Sequence, residues 1–268
     1  MFFHPEMKGE RMEAFLRNGR SLLLAYDQGL EHGPSTDFDE RNVDPSFAME
    51  IAVKGGFNGV VFQKGVAERF YTGKVPLIVK LNGKSSIPKG EPLSRQVCSV
   101  EYAVSLGAKG VGYTIYLGSA HEPEMFAEFG RIQEEAHERN LPAVAWVYPR
   151  GAAVTNDTSK ETVAYAARAA LELGADAAKI KYTGDPASFS WAVKAAGGVK
   201  VFMSGGPKAP TDEAFLRQVK GSMDAGATGL AVGRNVWQHN DPLAMTNHLR
   251  QIIFENKPVE AILPSLTV

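Results

Sequence analysis

The segment TSKETVAYAARAALELGADAAKIKYTGDP, Thr158 to Pro186, reads as one repeating unit of the fold. From Thr158 to Leu173 the apolar residues Val163, Ala167, Ala170 and Leu171 recur at helical spacing and share one face. Thr158 or Ser159 can cap the start, because a hydroxyl there accepts from a backbone N–H that the first turn leaves unpaired. Gly174 can end the helix in a left-handed turn. The period then changes from helical to two, and Ala177 to Thr183 (AAKIKYT) reads as a short strand.

Working outward, the same unit recurs. Runs rich in β-branched and aromatic residues are Ser21 to Asp27, Gly59 to Lys64, Val75 to Asn82, Gly110 to Tyr116, Ala143 to Pro149, Ala177 to Thr183, Val199 to Gly206 and Gly229 to Asn235, eight in all. Between them Glu122 to Arg139 and Thr211 to Ala225 also have helical spacing, the latter opening with a Thr and acids that suit a helix N-terminus. Strand alternating with helix eight times, with no polar linker between, predicts a closed parallel (β/α)8 TIM barrel in preference to an open sheet. The length, 268 residues, matches the roughly 250 that such a barrel needs. Residues 1–268 are therefore expected to form a single barrel domain, with residues 1–19 as an extra helix covering its bottom. The second unit has only a short helix near Val66 to Tyr71, and the third has a long loop, Asn82 to Pro92, placed to line the mouth of a site.

Composition excludes several functions. Twenty-nine Lys and Arg against thirty Asp and Glu leave a net charge of −1, which supplies no basic field for a nucleic acid or an anionic membrane. The single cysteine, Cys98, forms no intrachain disulfide, and neither a signal peptide nor an apolar span is visible, so a cytoplasmic location is expected. The six histidines lack metal-site spacing, and there is neither a Walker loop nor a GxGxxG sequence, so no metal and no nucleotide cofactor is expected.

In a barrel, alternate strand residues point inward and the chemistry sits at the C-terminal strand ends. Polar residues inside apolar strands are therefore informative. Asp27 ends the first strand on the face of Leu23 and Ala25. Trp146 and Tyr148 share a face of the fifth, and Lys179 and Lys181 share a face of the sixth, opposite Ala178, Ile180 and Tyr182. A lysine inside a barrel is costly unless paired or neutralised. One reading is a Schiff-base lysine whose pKa is lowered by apolar surroundings and a neighbouring cation; the other is a structural ion pair with a carboxylate such as Asp27. Spacing alone leaves both open. It also leaves Lys80, which shares a face with Asn82, as a third amine for the nucleophile or for a phosphate or hydroxyl contact.

Tyr148 is either a rim aromatic or a general acid and base. Trp146 reads as packing more than chemistry and joins the residues facing a substrate. The seventh and eighth strands end in SGGP (Ser204 to Pro207) and VGRN (Val232 to Asn235). Gly205, Gly206 and Gly233 let backbone N–H groups approach an anion, a short helix starting at Arg234 points its positive end there, and the Arg234 side chain binds phosphate oxygens. Barrels place phosphates at these two loops. His32 lies in the first loop, where capping or a backbone hydrogen bond is its expected role.

Taken together, LLLAYDQGLEHGP (Leu22 to Pro34), VKLNGK (Val79 to Lys84), VGYTIYLGS (Val111 to Ser119), WVYPRG (Trp146 to Gly151), KIKYTGDP (Lys179 to Pro186), MSGGPK (Met203 to Lys208) and AVGRNVWQ (Ala231 to Gln238) resemble the archaeal-type, or DhnA-type, class I fructose-bisphosphate aldolases. The resemblance implies a metal-free, cofactor-free Schiff-base cleavage of fructose 1,6-bisphosphate to dihydroxyacetone phosphate and glyceraldehyde 3-phosphate, in glycolysis and gluconeogenesis. It implies Lys179 as the Schiff-base lysine, Tyr148 as acid and base, and Asp27 as the first-strand aspartate. Ser204, Gly205, Gly206, Gly233 and Arg234 become the phosphate loops. Lys181 is expected to help keep Lys179 neutral, and Lys84 and Lys89 are candidates for the second phosphate. Gln28 stands where relatives often have His. The partners implied are phosphorylated ketoses and aldoses, and a homo-oligomer, often a decamer in this family. The alternatives are a transaldolase-like synthase or a thiolase of the same family acting on another phosphorylated ketose, and a non-catalytic sugar-phosphate-binding barrel.

Overall fold

Ser21–Tyr26 is buried at all six positions, as a strand must be when side chains cover both of its faces. It opens a closed barrel in a computed structural model that describes residues 11–33 and 37–263. The barrel strands are Ser21–Tyr26, Gly59–Gln63, Leu77–Lys80, Gly110–Leu117, Ala143–Pro149, Ala177–Ile180, Lys200–Ser204 and Gly229–Val232, each parallel to its neighbours, with the first pairing both the second and the last. All eight runs read from the sequence are barrel strands.

Period-two alternation sorts their side chains. Leu23, Val61, Ile78, Val144, Trp146, Ala177, Phe202 and Ala231 form an inner cluster. Leu22, Leu24, Val60, Phe62, Val79, Ala178 and Ile180 point outward into a second cluster shared with the helices. The inner column needs room for one large ring, and Gly112 supplies it: a Cβ there would lie 2.0 Å from the Trp146 ring.

Helices separate the strands. Lys160–Glu172 is capped by Ser159, whose Oγ accepts from the Thr162 N–H at 3.2 Å, and Asp212–Asp224 by Thr211, which accepts from the Ala214 N–H at 3.1 Å. Glu122–Glu138 and a short Lys64–Phe70 also lie where the sequence placed them.

Three expectations differ from the structure. The first ten residues of the expected helix over 1–19 lie outside the described residues, and the rest forms only a 3-10 turn, Glu13–Phe15, and an Arg17 to Arg20 bridge. Capping of the barrel bottom is nevertheless achieved, because Met12 and Phe15 are buried in the inner cluster, Phe15 seated against Gly59 and Gly110. The third strand stops at Lys80, and Asn82–Gly83 instead pairs antiparallel with Arg95–Gln96. The side chain of Asn82 forces this: Oδ1 accepts from the Thr114 N–H at 2.7 Å, and Nδ2 donates to the carbonyls of Thr114 and Ser94 at 2.8 and 3.0 Å. The Lys84 to Leu93 loop thus springs from a pinned hairpin. Finally, the sixth strand ends at Ile180, which leaves Lys181 on the rim. Among the described residues no helix is long and apolar enough to cross a membrane.

Candidate active site

The C-terminal strand ends enclose a cavity of about 200 Å³ whose walls include Asp27, Lys80, Trp146, Tyr148, Lys179 and Arg234. Alternation accounts for the convergence of the first five, since each lies an even number of residues beyond an inner-cluster position on its own strand, whereas Arg234 comes from the start of the helix after the eighth strand. Lys181 and the Ser204 to Gly206 turn line the same space, as do Gly233, Gln28 and His32. Of the residues the sequence reading offered for catalysis or substrate binding, all but Lys84 and Lys89 line this one space.

Three amines occupy three different environments. Lys80 Nζ stands 3.6 Å from Asp27 Oδ2, so this lysine is ion-paired. Lys181 pairs with Asp157 at the rim. Lys179 is 7 % exposed and, among the described residues, has no carboxylate within salt-bridge distance. Burial pushes its amine below the usual lysine range; the charge of Asp27 acts against this and that of Arg234 with it. The expectation that Lys181 supplies the neighbouring cation is thus corrected. Its charge is absorbed by Asp157, and Arg234, which follows the strand two places round the barrel, has that effect instead. Burial lowers Lys80 as well, with Asp27 and Glu31 opposing.

Trp146 forms the wall between the amines. The Nζ atoms of Lys80 and Lys179 each lie 5.4 Å from its ring centroid. Its indole Nε1–H is buried and has no acceptor among the described residues. A buried donor of this kind is costly unless a ligand oxygen meets it.

Tyr148 stands one strand over from Lys179, and its hydroxyl lies 3.2 Å from Ser204 Oγ. Burial raises its pKa, the hydrogen bond with Ser204 opposes, and the charges of Asp27 and Glu31 add to the rise. The phenol therefore keeps its proton, as a proton donor must.

The glycine-rich end of the cavity lies between two turns. Asn235 ties them together, its Nδ2 donating to the carbonyls of Gly205 and Pro207 at 2.8 and 2.9 Å. Gly233 has to be glycine, since a Cβ there would lie 2.8 Å from the carbonyl oxygen of Ala25. The helix Arg234–Trp237 starts immediately after it, as the sequence suggested.

Several cavity residues carried no decisive signal in the sequence. Arg150 donates to Glu31 at 2.8 Å and lies over the Tyr116 ring, whose hydroxyl meets the same carboxylate at 3.0 Å. Arg150 also borders a second space walled by Lys84, Lys89 and Gly151. Among the described residues, no three His, Cys, Asp or Glu side chains gather as a metal-binding group.

A closed parallel barrel with buried amines at its C-terminal mouth, beside glycine-rich turns, defines a class: the (β/α)8 enzymes that use a lysine. Within that class the chain belongs to the DeoC/LacD family of aldolases, whose model matches residues 21–239. It is 57 % identical over 247 residues to the class 1 fructose-bisphosphate aldolase of Thermoproteus tenax, covering 92 % of this chain and 94 % of that one. It is 47 % identical over 252 residues to the class 1 enzyme of Halobacterium salinarum, with 92 % and 95 % covered. A solved Schiff base-forming fructose-1,6-bisphosphate aldolase is similar at 55 % identity with a TM-score of 0.90, covering 92 % of this chain and 100 % of that one. So is an archaeal fructose-1,6-bisphosphate aldolase whose catalytic Lys is covalently bound to the carbinolamine intermediate, at 55 % identity and a TM-score of 0.89, covering 92 % and 99 %.

Proposed function

We propose that this protein is a class I fructose-bisphosphate aldolase that cleaves fructose 1,6-bisphosphate reversibly through a Schiff base on Lys179. The observation that carries the reading is the unpaired, buried amine of Lys179 facing a cavity shared with Tyr148 and a glycine-rich anion cup. Its relatives named as class 1 aldolases support the substrate.

The chemistry follows from the groups present. The neutral amine of Lys179 adds to the C2 carbonyl, and the carbinolamine loses its hydroxyl as water to give an iminium. Loss of the C4 hydroxyl proton then breaks the C3–C4 bond, whose electrons flow into the iminium as an enamine while glyceraldehyde 3-phosphate departs. Protonation of the enamine at C3 and hydrolysis of the imine release dihydroxyacetone phosphate and restore Lys179. The iminium serves as the electron sink, so no metal is required. Tyr148, protonated and adjacent, delivers and collects protons in the carbinolamine and enamine steps. Asp27 contacts the carbinolamine hydroxyl while balancing Lys80, and the Trp146 indole N–H meets a substrate oxygen.

The turns at Ser204 to Gly206 and Gly233 to Arg234 hold the C1 phosphate, with Lys181 at the rim beside it. Arg150, flanked by Lys84 and Lys89, takes the second phosphate where the two spaces meet. The protein is one barrel domain, cytoplasmic, and a homo-oligomer, as the family resemblance implies. Cleavage of fructose 1,6-bisphosphate compared with fructose 1-phosphate tests the substrate. Absence of both activities, with iminium formation retained on other ketoses, would move the protein to the synthase or thiolase branch.

A further inference from the structure

Asp37 takes no part in the chemistry above, yet its carboxylate joins two residues of the cavity wall. Oδ1 accepts from the Arg234 guanidinium at 3.2 Å, and Oδ2 meets Nδ1 of His32. The backbone carbonyl of Asp37 accepts from Nε2 of Gln238 at 2.6 Å, and the next side chain, Phe38, stacks on Trp237 with ring centroids 5.3 Å apart and planes at 12°. Residues 37–38 therefore fasten the far arm of the first loop onto the helix that follows the eighth strand.

Arg234 and His32 line the cavity, whereas Asp37 stands behind them, 8 % exposed. A guanidinium carries its five N–H donors in one rigid plane, so fixing one edge on a carboxylate decides where the other edge faces. An arginine held in this way loses less side-chain freedom when a ligand binds. The imidazole is fixed likewise: with Nδ1 held on Asp37, Nε2 is the nitrogen left for the cavity.

We infer that Asp37 is a positioning residue for the phosphate end of the substrate, holding Arg234 so that its free N–H groups face an oxyanion and fixing the ring of His32 beside it. The inference rests on the reading of the site as a ketose-phosphate aldolase. The acidic group is thereby selective for ligand charge without touching the ligand.

The test compares wild type, Asp37→Asn and Asp37→Glu. Steady-state cleavage of fructose 1,6-bisphosphate is measured, together with borohydride trapping of the iminium formed by dihydroxyacetone phosphate and by phosphate-free dihydroxyacetone. In Asp37→Asn the KM should rise roughly ten- to a hundredfold, and the dihydroxyacetone phosphate needed for half-maximal trapping should rise with it. The kcat and the trapping of dihydroxyacetone should stay near wild type, and Asp37→Glu should recover most of the loss. Equal losses with both ketones would show a merely structural role and overturn the inference, as would an unchanged KM or tighter phosphate-ester binding. If wild type itself forms no iminium with dihydroxyacetone phosphate, the aldolase reading fails instead. The Asp37 inference is then decided by inorganic phosphate, which should raise the unfolding temperature of wild type more than that of Asp37→Asn; equal rises would overturn it.

Discussion

Asp27 Oδ2 lies 3.6 Å from Nζ of Lys80, with both side chains less than a tenth exposed. This carboxylate at the cavity wall is therefore paired with Lys80. An ion pair favours the protonated amine, and a nucleophile has to be neutral, so the pairing separates two lysines that look alike in sequence. Borohydride reduction with dihydroxyacetone phosphate should add mass to the peptide containing Lys179. Fragment ions that place the added mass on Lys80 or Lys181 would reassign the nucleophile.

Replacing Tyr148 with Phe removes the phenolic proton and its contact with Ser204 while keeping the ring. Turnover should fall about a hundredfold or more with little change in KM or in unfolding temperature, the usual scale of a general acid–base contribution. Near-normal turnover would pass the role to Asp27 or to a water.

Gly112→Ala places a methyl group 2.0 Å from the Trp146 ring, on the wall that both amines face. Overpacking of this kind costs about 1–3 kcal/mol, and here it also displaces the ring. Thermal unfolding should shift downward, and iminium trapping should weaken even at saturating ketose. Wild-type values of both would show that the ring moves aside without consequence.

The lowered amine of Lys179 sets a pH dependence. Its neutral fraction grows as pH rises through the lowered pKa, so imine formation begins at a lower pH than for an ordinary lysine. The stability effect has the matching sign. Below the folded-state pKa the buried charge is a full penalty, and the penalty is relieved as pH climbs from there to the ordinary lysine value, where the unfolded chain also loses its proton. Because Arg234 helps to lower this amine, Arg234→Ala should move the onset of trapping by dihydroxyacetone to higher pH. An unmoved or lowered onset would remove Arg234 from that role. The same variant should weaken dihydroxyacetone phosphate roughly ten- to a hundredfold, as expected for a lost charge-assisted contact.

The amino-acid sequence by itself determined the barrel. Eight glycine-punctuated apolar runs with helical stretches between them allow few other closures, and period two alone turned Asp27, Trp146, Tyr148 and Lys179 toward one interior. Those signals are local and repeat with the backbone. Only the tertiary structure decided the partners. That Asp27 pairs with Lys80, Lys181 with Asp157, and Arg234 with Asp37 depends on side chains brought together from separate strands and loops. The short third strand was also settled at long range, because Asn82 exchanges a strand position for hydrogen bonds to Thr114 and Ser94. Charge pairing depends on distance in space, and the spacing of residues along a chain carries no measure of that distance until the barrel closes.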